Sequence, residues 1–377
     1  MAFNPLPKRH MKIIIKVSVL LFLHTLAANA DWPEYRGGQN LPGTTNAVIP
    51  TKAGLAWSYQ TGAEVKAAPV ISNGRIVAGS TDGNIYCLDF FGTLLWKFET
   101  EYAVEAPALI KNNTVYVGNL GGGFYAIDLL SGEKKWKHEA NNQIMAAANY
   151  WEEGESLYIL IGSYDFYLYC LEANTGKVAW KYEAMDHINS VVSVTGNHAV
   201  FGGCDGHLHV VDMNTGESPQ KTEVASYIAG SAAIEKNIAY IGDYDGKLWS
   251  IDYIIGKVKW SFERESRELP YIGSPAITGN KVIAANRDRF VYCLDKSNGS
   301  LLWQRDTGSR VDASPITDGK SVLIANMRGD LLLLDINDGS IIWTYELGSG
   351  ITGNPAVADN IIVVGTLDGS FYGFVEE

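Results

Sequence analysis

Eight polar side chains stand at loosely equivalent places along this 377-residue chain, just before an apolar segment that often begins with proline. They vary in type while the residues around them repeat: Lys66, Glu105, Gln143, Asp186, His187, Tyr227, Arg310 and Asp312. If the fold brings them to one concavity, their carboxylates, cations and hydrogen-bonding groups could hold a polar ligand. The alternative is a solvated rim whose charges neutralise one another.

A second group of residues has the types of a metal site. His207 and His209 alternate on one predicted strand, so both face the same side, and Cys204 precedes them. In the repeat described next, however, His209 takes the position of Tyr86 and Tyr292. We therefore predict a packed structural histidine and no metal site.

The elements that must position these residues follow from a repeat. A tryptophan returns about every forty residues behind an acidic residue and a glycine, and a period in this range indicates an array of one supersecondary unit. Within each unit, four short runs rich in Val, Ile, Tyr and Phe are bounded by turn signals, which predicts four antiparallel strands. The turn between the second and third strands is often Asp-Gly, for which we expect positive φ at both central residues. The repeated tryptophans are Trp96, Trp136, Trp180, Trp260, Trp303 and Trp343.

Counting units predicts an all-β, eight-bladed β-propeller over residues 54–377, preceded by a lead-in segment over 31–53. Eight second strands can be counted, Gln220 replaces tryptophan in the fourth unit, and the eighth unit has none. A spare tryptophan strand around Trp57 precedes the first unit. We expect it to complete the last blade, because closure removes unpaired strand edges. The tryptophans are predicted to dock adjacent blades.

The N-terminus has the layout of a secretory signal peptide over residues 1–30, with cleavage near Ala30 and Asp31. Its apolar run is shorter than the about 20 residues needed to span a bilayer, although a retained anchor is the alternative. Removal of the leader leaves 26 basic against 42 acidic residues. This balance disfavours nucleic acid and anionic membranes as partners. We predict a periplasmic or secreted, monomeric protein with no membrane span after the leader.

Residues 73–89, followed by Trp96, resemble the PQQ-type β-propeller repeat family, and residues 31–38 resemble the lead-in of its exported bacterial members. The family includes quinoprotein alcohol dehydrogenases and BamB, the periplasmic propeller of the outer-membrane assembly machinery. The resemblance therefore implies either an enzyme that holds PQQ with calcium or a binding scaffold.

Two observations favour the scaffold. The chain has no adjacent cysteines of the kind that cover the quinone in those enzymes, and its loops are short. We predict no cofactor and a partner that is an exported or outer-membrane protein or an extracellular polymer. A small PQQ- and calcium-dependent alcohol or sugar dehydrogenase is the alternative. Two segments that lengthen their units are predicted as interaction loops: Trp151, Glu152 and Glu153 in the third, and Arg264 and Arg267 in the sixth.

Overall fold

The structure, a computed structural model, describes residues 31–224, 226–264 and 269–377. They form eight four-stranded antiparallel sheets around an axis, which confirms the predicted fold class. The predicted signal peptide and Arg267 lie outside the described residues. In the described part of the chain, the only helix is one 3-10 turn, Tyr35–Gly37, and no helix is long and apolar enough to cross a membrane.

The strands follow one another from the inner to the outer edge of each blade. Strand β1 is Ala53–Gln60. Blades 1 to 4 contain β2 to β17: Val70–Ser72, Arg75–Gly79, Asn84–Asp89, Leu94–Glu99; Leu109–Lys111, Thr114–Gly118, Gly123–Asp128, Lys134–Glu139; Asn149–Glu153, Ser156–Gly162, Tyr167–Glu172, Val178–Glu183; Ser193–Thr195, His198–Gly202, His207–Asp212, Gln220–Glu223. Blades 5 to 8 contain β18 to β32: Ala233–Glu235, Ile238–Gly242, Lys247–Asp252, Lys257–Glu263; Ala276–Thr278, Lys281–Ala285, Phe290–Asp295, Leu301–Asp306; Ile316–Thr317, Ser321–Ala325, Asp330–Asp335, Ile341–Glu346; Ala356–Ala358, Ile361–Gly365, Ser370–Glu376.

Burial within a blade explains why the middle strands are almost continuously apolar. In blade 1, β3 and β4 are buried along nearly their whole length, whereas β5 alternates between exposed and buried residues. The middle strands have a neighbouring blade on both faces, and the outer strand has solvent beside it. Stacking around the ring therefore builds the core.

Strand β1 completes blade 8 by pairing antiparallel with β32, as predicted. Trp57 lies opposite Gly373 and Tyr59 lies opposite Phe371. The last blade is thus built from both ends of the described chain, and its outer strand has no turn that connects it to the third strand.

The tryptophans dock neighbouring blades through one repeated contact. The Trp57 indole N–H donates to the carbonyl of Phe90 in blade 1 at 2.8 Å, and its ring lies over Gly92, whose added Cβ would come within 2.7 Å of it. Gly92 also has a φ of 78°, which disfavours other residues. Equivalent donations from the next blades run from Trp96 to Leu129, Trp136 to Ala173, Trp180 to Met213, Trp260 to Lys296 and Trp303 to Ile336.

Two junctions lack this contact among the described residues. Blade 4 offers Gln220, whose side-chain amide donates to Lys221 of its own strand. Trp343 of blade 7 stacks on Tyr345 instead, because blade 8 has no turn to receive it. The Trp343 ring also meets Phe374 of blade 8 edge to face, with 6.3 Å between centroids, so this tryptophan packs against the next blade without the indole hydrogen bond.

The expectation for the Asp-Gly turns was half wrong. Gly83, Gly206, Gly246 and Gly369 have positive φ, but the preceding aspartates do not. In blade 1 the aspartate, Asp82, instead accepts hydrogen bonds, from the backbone amide of Asn84 at 2.9 Å and from the Tyr86 hydroxyl at 2.6 Å. In blade 5, Asp243 takes this role and accepts from the backbone amide of Lys247. In blade 3 the left-handed position is held by Phe166, with a φ of 77°.

The lead-in segment fills the central channel. Residues 32–45, here called the axial plug, run along the inner edges of the inner strands and hydrogen-bond to one residue of that strand in every blade. Those partners are Ile71, Ile110, Tyr150, Val194, Ile234, Ile277, Thr317 and Val357. The inner strands would otherwise present unpaired backbone groups, so the plug satisfies an edge that the blades cannot satisfy themselves.

Arg36 anchors the plug at the axis. Its side chain is 1% exposed and donates to the backbone carbonyls of Pro315, at 3.0 Å, and Pro275. Burial lowers the pKa of Arg36 to about 10, because a guanidinium loses hydration in the channel. The plug therefore carries a buried charge that only backbone carbonyls solvate.

Candidate functional site

The loops that lead into the inner strands and the turns between second and third strands lie on one face, the funnel face. At its centre is an axial cavity of about 280 Å³ to which every blade contributes, with Tyr35 of the plug also in its wall. Lys66, Glu105 and Asp312 line this cavity. The structure thus brings three of the eight sequence-selected residues together at the axis.

The charges at the axis are paired within the protein. Lys66 Nζ lies 3.0 Å from carboxylates of both Glu64 and Glu105. Asp312 is held by Arg287, which donates from Nε and Nη2 at 2.7 and 2.8 Å. The hydrogen bond to Glu64, with help from Glu105, raises the pKa of Lys66, and the bond to Asp312 raises the pKa of Arg287. Both cations therefore stay charged and engaged.

This donor set does not fit PQQ held by calcium. The quinone carries three carboxylates, which need cations, while the cavity presents Glu105 and Asp312 with their own cations already bound to them. Calcium prefers carboxylate oxygens that are available as ligands. Within the described ranges, no group of three or more His, Cys, Asp or Glu side chains is arranged to hold a metal ion.

A second cavity, here called the side pocket, opens at the funnel rim over blades 3 to 5. It has a volume of about 430 Å³ and shares Asn189 and Ala229 with the axial cavity. Its other lining residues are Tyr164, Asp186, His187, Cys204, Tyr227, Ile228 and Tyr244. Three more sequence-selected residues, Asp186, His187 and Tyr227, therefore meet here and not at the axis.

Aromatic rings and one contact between a histidine and an aspartate order the side pocket. The His187 ring lies 4.7 Å from the Tyr164 ring and 5.0 Å from the Phe166 ring, between centroids. Its Nδ1 is 2.6 Å from Asp186. Burial raises the pKa of the Cys204 thiol, and Asp186 and Asp205 raise it further. A neutral thiol is a poor nucleophile, so this group of Cys, His and Asp favours binding over covalent catalysis.

The last two funnel candidates line neither cavity. Gln143 lies on the loop into blade 3, where its carbonyl accepts from the Tyr164 amide at 2.9 Å. Arg310 lies on the loop into blade 7 with an exposed side chain. Both stay on the funnel face as predicted, but the structure separates them from the residues at the axis.

The interaction-loop prediction for blade 3 was wrong in its structure. Trp151, Glu152 and Glu153 belong to strand β10, which lengthens a hairpin and does not form a loop. Trp151 is 7% exposed and stacks on Tyr158, while Glu152 pairs with Lys111 at 3.0 Å. The extra residues extend the pairing of β10 with β11. The Trp151 ring then packs inward against Tyr158.

Arg264 is also engaged inside the protein. It donates to the Tyr292 hydroxyl at 3.1 Å, lies 3.4 Å from Asp288, and its guanidinium sits 4.0 Å from the Phe290 ring centroid. Such a residue holds two blades together and is not a free contact for a partner.

Sequence reasoning missed the residues that complete both cavities. Arg287, Tyr164 and Tyr244 lie in turns between second and third strands, next to the Asp-Gly positions. The sequence prediction covered only the loops before the inner strands, although these turns reach the same face. Departures from the Asp-Gly pattern, such as Phe166, were the available signal.

His209 is the buried structural residue that the repeat predicted. It is fully buried, its Nε2 lies 2.9 Å from Asp205, and its Nδ1 lies 3.0 Å from the Tyr182 hydroxyl. The aspartate is the same turn residue that binds tyrosine in other blades, so imidazole simply replaces phenol. His207 bonds to the Asp205 carbonyl at 2.9 Å.

Comparison with known proteins identifies the repeat family. The family profile described as outer membrane protein assembly factor BamB matches residues 43–159, 164–313 and 287–377. No curated protein sequence matches the chain significantly.

Solved structures share the fold at low identity. BamB from Moraxella catarrhalis is 18% identical with a TM-score of 0.73, over 86% of this chain and 99% of that one. A europium-containing methanol dehydrogenase is 12% identical with a TM-score of 0.77, over 92% and 98%. The quinohemoprotein alcohol dehydrogenase from Comamonas testosteroni is 13% identical with a TM-score of 0.74, over 92% and 80%. At these identities the likeness is one of fold.

Proposed function

Since this chain belongs to the family described as outer membrane protein assembly factor BamB, we propose that it is an exported, non-catalytic propeller that binds another exported or outer-membrane protein. The binding surface is the rim of the funnel face over blades 3 to 5. The family description names an assembly factor, a role in which one protein recognises others.

One observation carries this proposal: the charged groups at the axis are paired within the protein, whereas large apolar and aromatic side chains at the rim are exposed. Lys66 and Arg287 already hold the axial carboxylates, and the plug occupies the channel. At the rim, Met185 is 70% exposed, Tyr227 59% and Tyr244 42%. Exposed aromatic and methionine side chains around a cavity are typical of recognition surfaces.

Site-specific photo-crosslinking tests the surface. A crosslinking amino acid in place of Tyr227 is expected to give a discrete protein adduct in the exported fraction. The same group in place of Leu130, which is 55% exposed in a turn between third and outer strands on the opposite face, serves as the control. Adducts of equal yield from both positions, or none from Tyr227, would count against the proposal.

The enzymatic alternative is tested separately on the purified protein. Titration with PQQ and Ca²⁺ is followed by the quinone absorbance, and dye reduction is measured with alcohols and sugars. We expect no stoichiometric binding, since the axial carboxylates are already paired. Tight binding together with substrate-dependent dye reduction would replace the scaffold by a quinoprotein dehydrogenase.

A further inference from the structure

The side pocket has the chemistry of a site for an organic cation. Three tyrosines, Tyr164, Tyr227 and Tyr244, line it together with Asp186. Aromatic faces attract ammonium and guanidinium groups through their quadrupole, and the attraction grows where water is partly excluded. A carboxylate in the same cavity adds direct charge complementarity.

The charge around the pocket favours a cationic ligand over a neutral or anionic one. Asp186 is the one carboxylate among the lining residues, and burial together with this carboxylate raises the pKa of the Cys204 thiol. Two charged groups outside the lining, Glu105 and Arg287, are paired with Lys66 and Asp312. His187 is the one lining side chain that can carry a positive charge, and its Nδ1 lies 2.6 Å from Asp186.

The Phe166 ring supports the side pocket from behind His187. This phenylalanine has a φ of 77° at a turn position that glycine takes in six blades and Arg289, with a φ of 79°, takes in blade 6. The backbone conformation is therefore shared with a turn away from the pocket. What distinguishes Phe166 is its ring, which packs on His187 with 5.0 Å between centroids.

We propose that the side pocket binds a lysine or arginine side chain of the partner protein between Tyr227 and Tyr244, with Oδ2 of Asp186 as the counter-charge. His187 contacts Asp186 only through Oδ1, from its backbone amide and its Nδ1, so the second carboxylate oxygen faces the ligand. The assignment to a partner rests on the proposed function. The affinity of the pocket for a basic group does not, and it is measured on the purified protein alone.

The first experiment is a titration of the protein with the short peptide acetyl-Gly-Arg-Gly-amide, followed by calorimetry and ligand-observed NMR. The matched peptide with citrulline in place of arginine has nearly the same shape and no charge. We expect the citrulline peptide to bind at least about ten-fold more weakly, because it carries no charge to pair with Asp186. A ten-fold change in affinity corresponds to about 1.4 kcal/mol. Equal binding of the two peptides would overturn the proposal.

Variants then locate the binding. Asp186→Asn and Tyr227→Ala are each expected to weaken the arginine peptide about five- to ten-fold. Tyr102→Ala is the control, since Tyr102 is a similarly exposed tyrosine, at 56%, on the funnel face outside the side pocket. An unchanged affinity in Tyr227→Ala, or an equal loss in Tyr102→Ala, would refute the site.

Phe166→Gly separates a binding role from a structural one. Glycine removes the backbone strain, so we expect an unchanged or higher thermal midpoint together with weaker peptide binding. A lower midpoint with unchanged binding would contradict the assignment.

Crosslinking of the same variants distinguishes this proposal from the proposed function. If the Tyr227 adduct persists unchanged in Asp186→Asn, the partner does not need its basic side chain in the side pocket, and the pocket assignment is wrong. If the peptide binds as expected but no protein adduct forms, the pocket assignment stands and the scaffold function fails.

Discussion

At the outer edge of this propeller, six of the eight junctions between blades carry the same contact, a tryptophan donating to the next blade. At the axis, the axial plug hydrogen-bonds to all eight blades, and the plug residues that make these bonds follow no repeated pattern. The outer ring is modular, so losing one tryptophan affects one junction. The axial plug is shared, so losing one anchor affects the whole ring.

The largest expected effect is therefore in the plug. Arg36→Met should lower the free energy of unfolding by about 3 kcal/mol, because two buried carbonyls lose their donor. Chemical denaturation measures it, with the exposed Arg310→Met as the control. A variant as stable as the wild type would mean that desolvation of the guanidinium cancels its hydrogen bonds, and the plug would then not depend on this anchor.

The next effect tests the closure junction of the outer ring. Gly92→Ala adds a Cβ 2.7 Å from the Trp57 ring at a φ of 78°, so we expect a loss of about 2–3 kcal/mol from strain and overpacking. Gly74→Ala has nearly the same φ, 73°, and no atom within 4 Å of the added Cβ. It should cost only about 1 kcal/mol. Stability is measured by thermal or urea unfolding. Equal losses of stability in Gly92→Ala and Gly74→Ala would show that the close contact with Trp57 is not the cause.

The third effect compares a tryptophan that donates a hydrogen bond to the next blade with one that only packs against it. Trp96→Phe leaves the Leu129 carbonyl without its donor and should cost about 2 kcal/mol. Trp343 has no such acceptor among the described residues, so Trp343→Phe should cost about 1 kcal/mol or less. The denaturation midpoints of the two variants measure these losses of stability. Equal losses would indicate that packing accounts for docking and that the hydrogen bond adds nothing.

The smallest effect is a pH dependence in the plug. Burial raises the pKa of Glu34 to about 7, from 4.5, although Lys111 opposes the shift. The folded protein therefore holds this proton more tightly than the unfolded chain, and stability rises as the pH falls from about 8 towards 4.5. Glu34→Gln should be more stable than the wild type by about 1–2 kcal/mol at pH ~8, and the difference should vanish at pH ~4, below the unfolded pKa of 4.5. Thermal midpoints at both pH values test this, with the exposed Glu133→Gln as the control. A constant difference would contradict the pKa shift.

The sequence was most informative where contacts recur. Trp96 and Gly92 belong to a phrase that appears in six of the seven full units, and repetition made its packing role visible. The same alignment predicted that His209 takes the place of a tyrosine, and the structure shows it buried between Asp205 and Tyr182. Trp343 shows the limit, because its repeat is intact but its receiving turn is absent from blade 8.

The site was less predictable because its residues come from turns and loops of different blades. Asp186, His187 and Tyr227 were selected together with Lys66, Glu105 and Asp312 by their position before the inner strands. The structure divides them between two cavities. Arg287 pairs with Asp312 of the axial cavity, and Tyr244 forms a wall of the side pocket. Both occupy turn positions whose residue type differs from blade to blade, so the repeat did not point to them.

The sequence alone determined the number of blades, the closure by the strand around Trp57 and the face on which the variable polar residues lie. Each of these follows from periodicity, and periodicity is a local property of the chain. Tertiary structure alone decided that the axial charges neutralise one another, that the lead-in segment fills the channel and that an aromatic, acidic pocket opens over blades 3 to 5. Those outcomes depend on distances between residues of different blades, which no spacing along the chain contains.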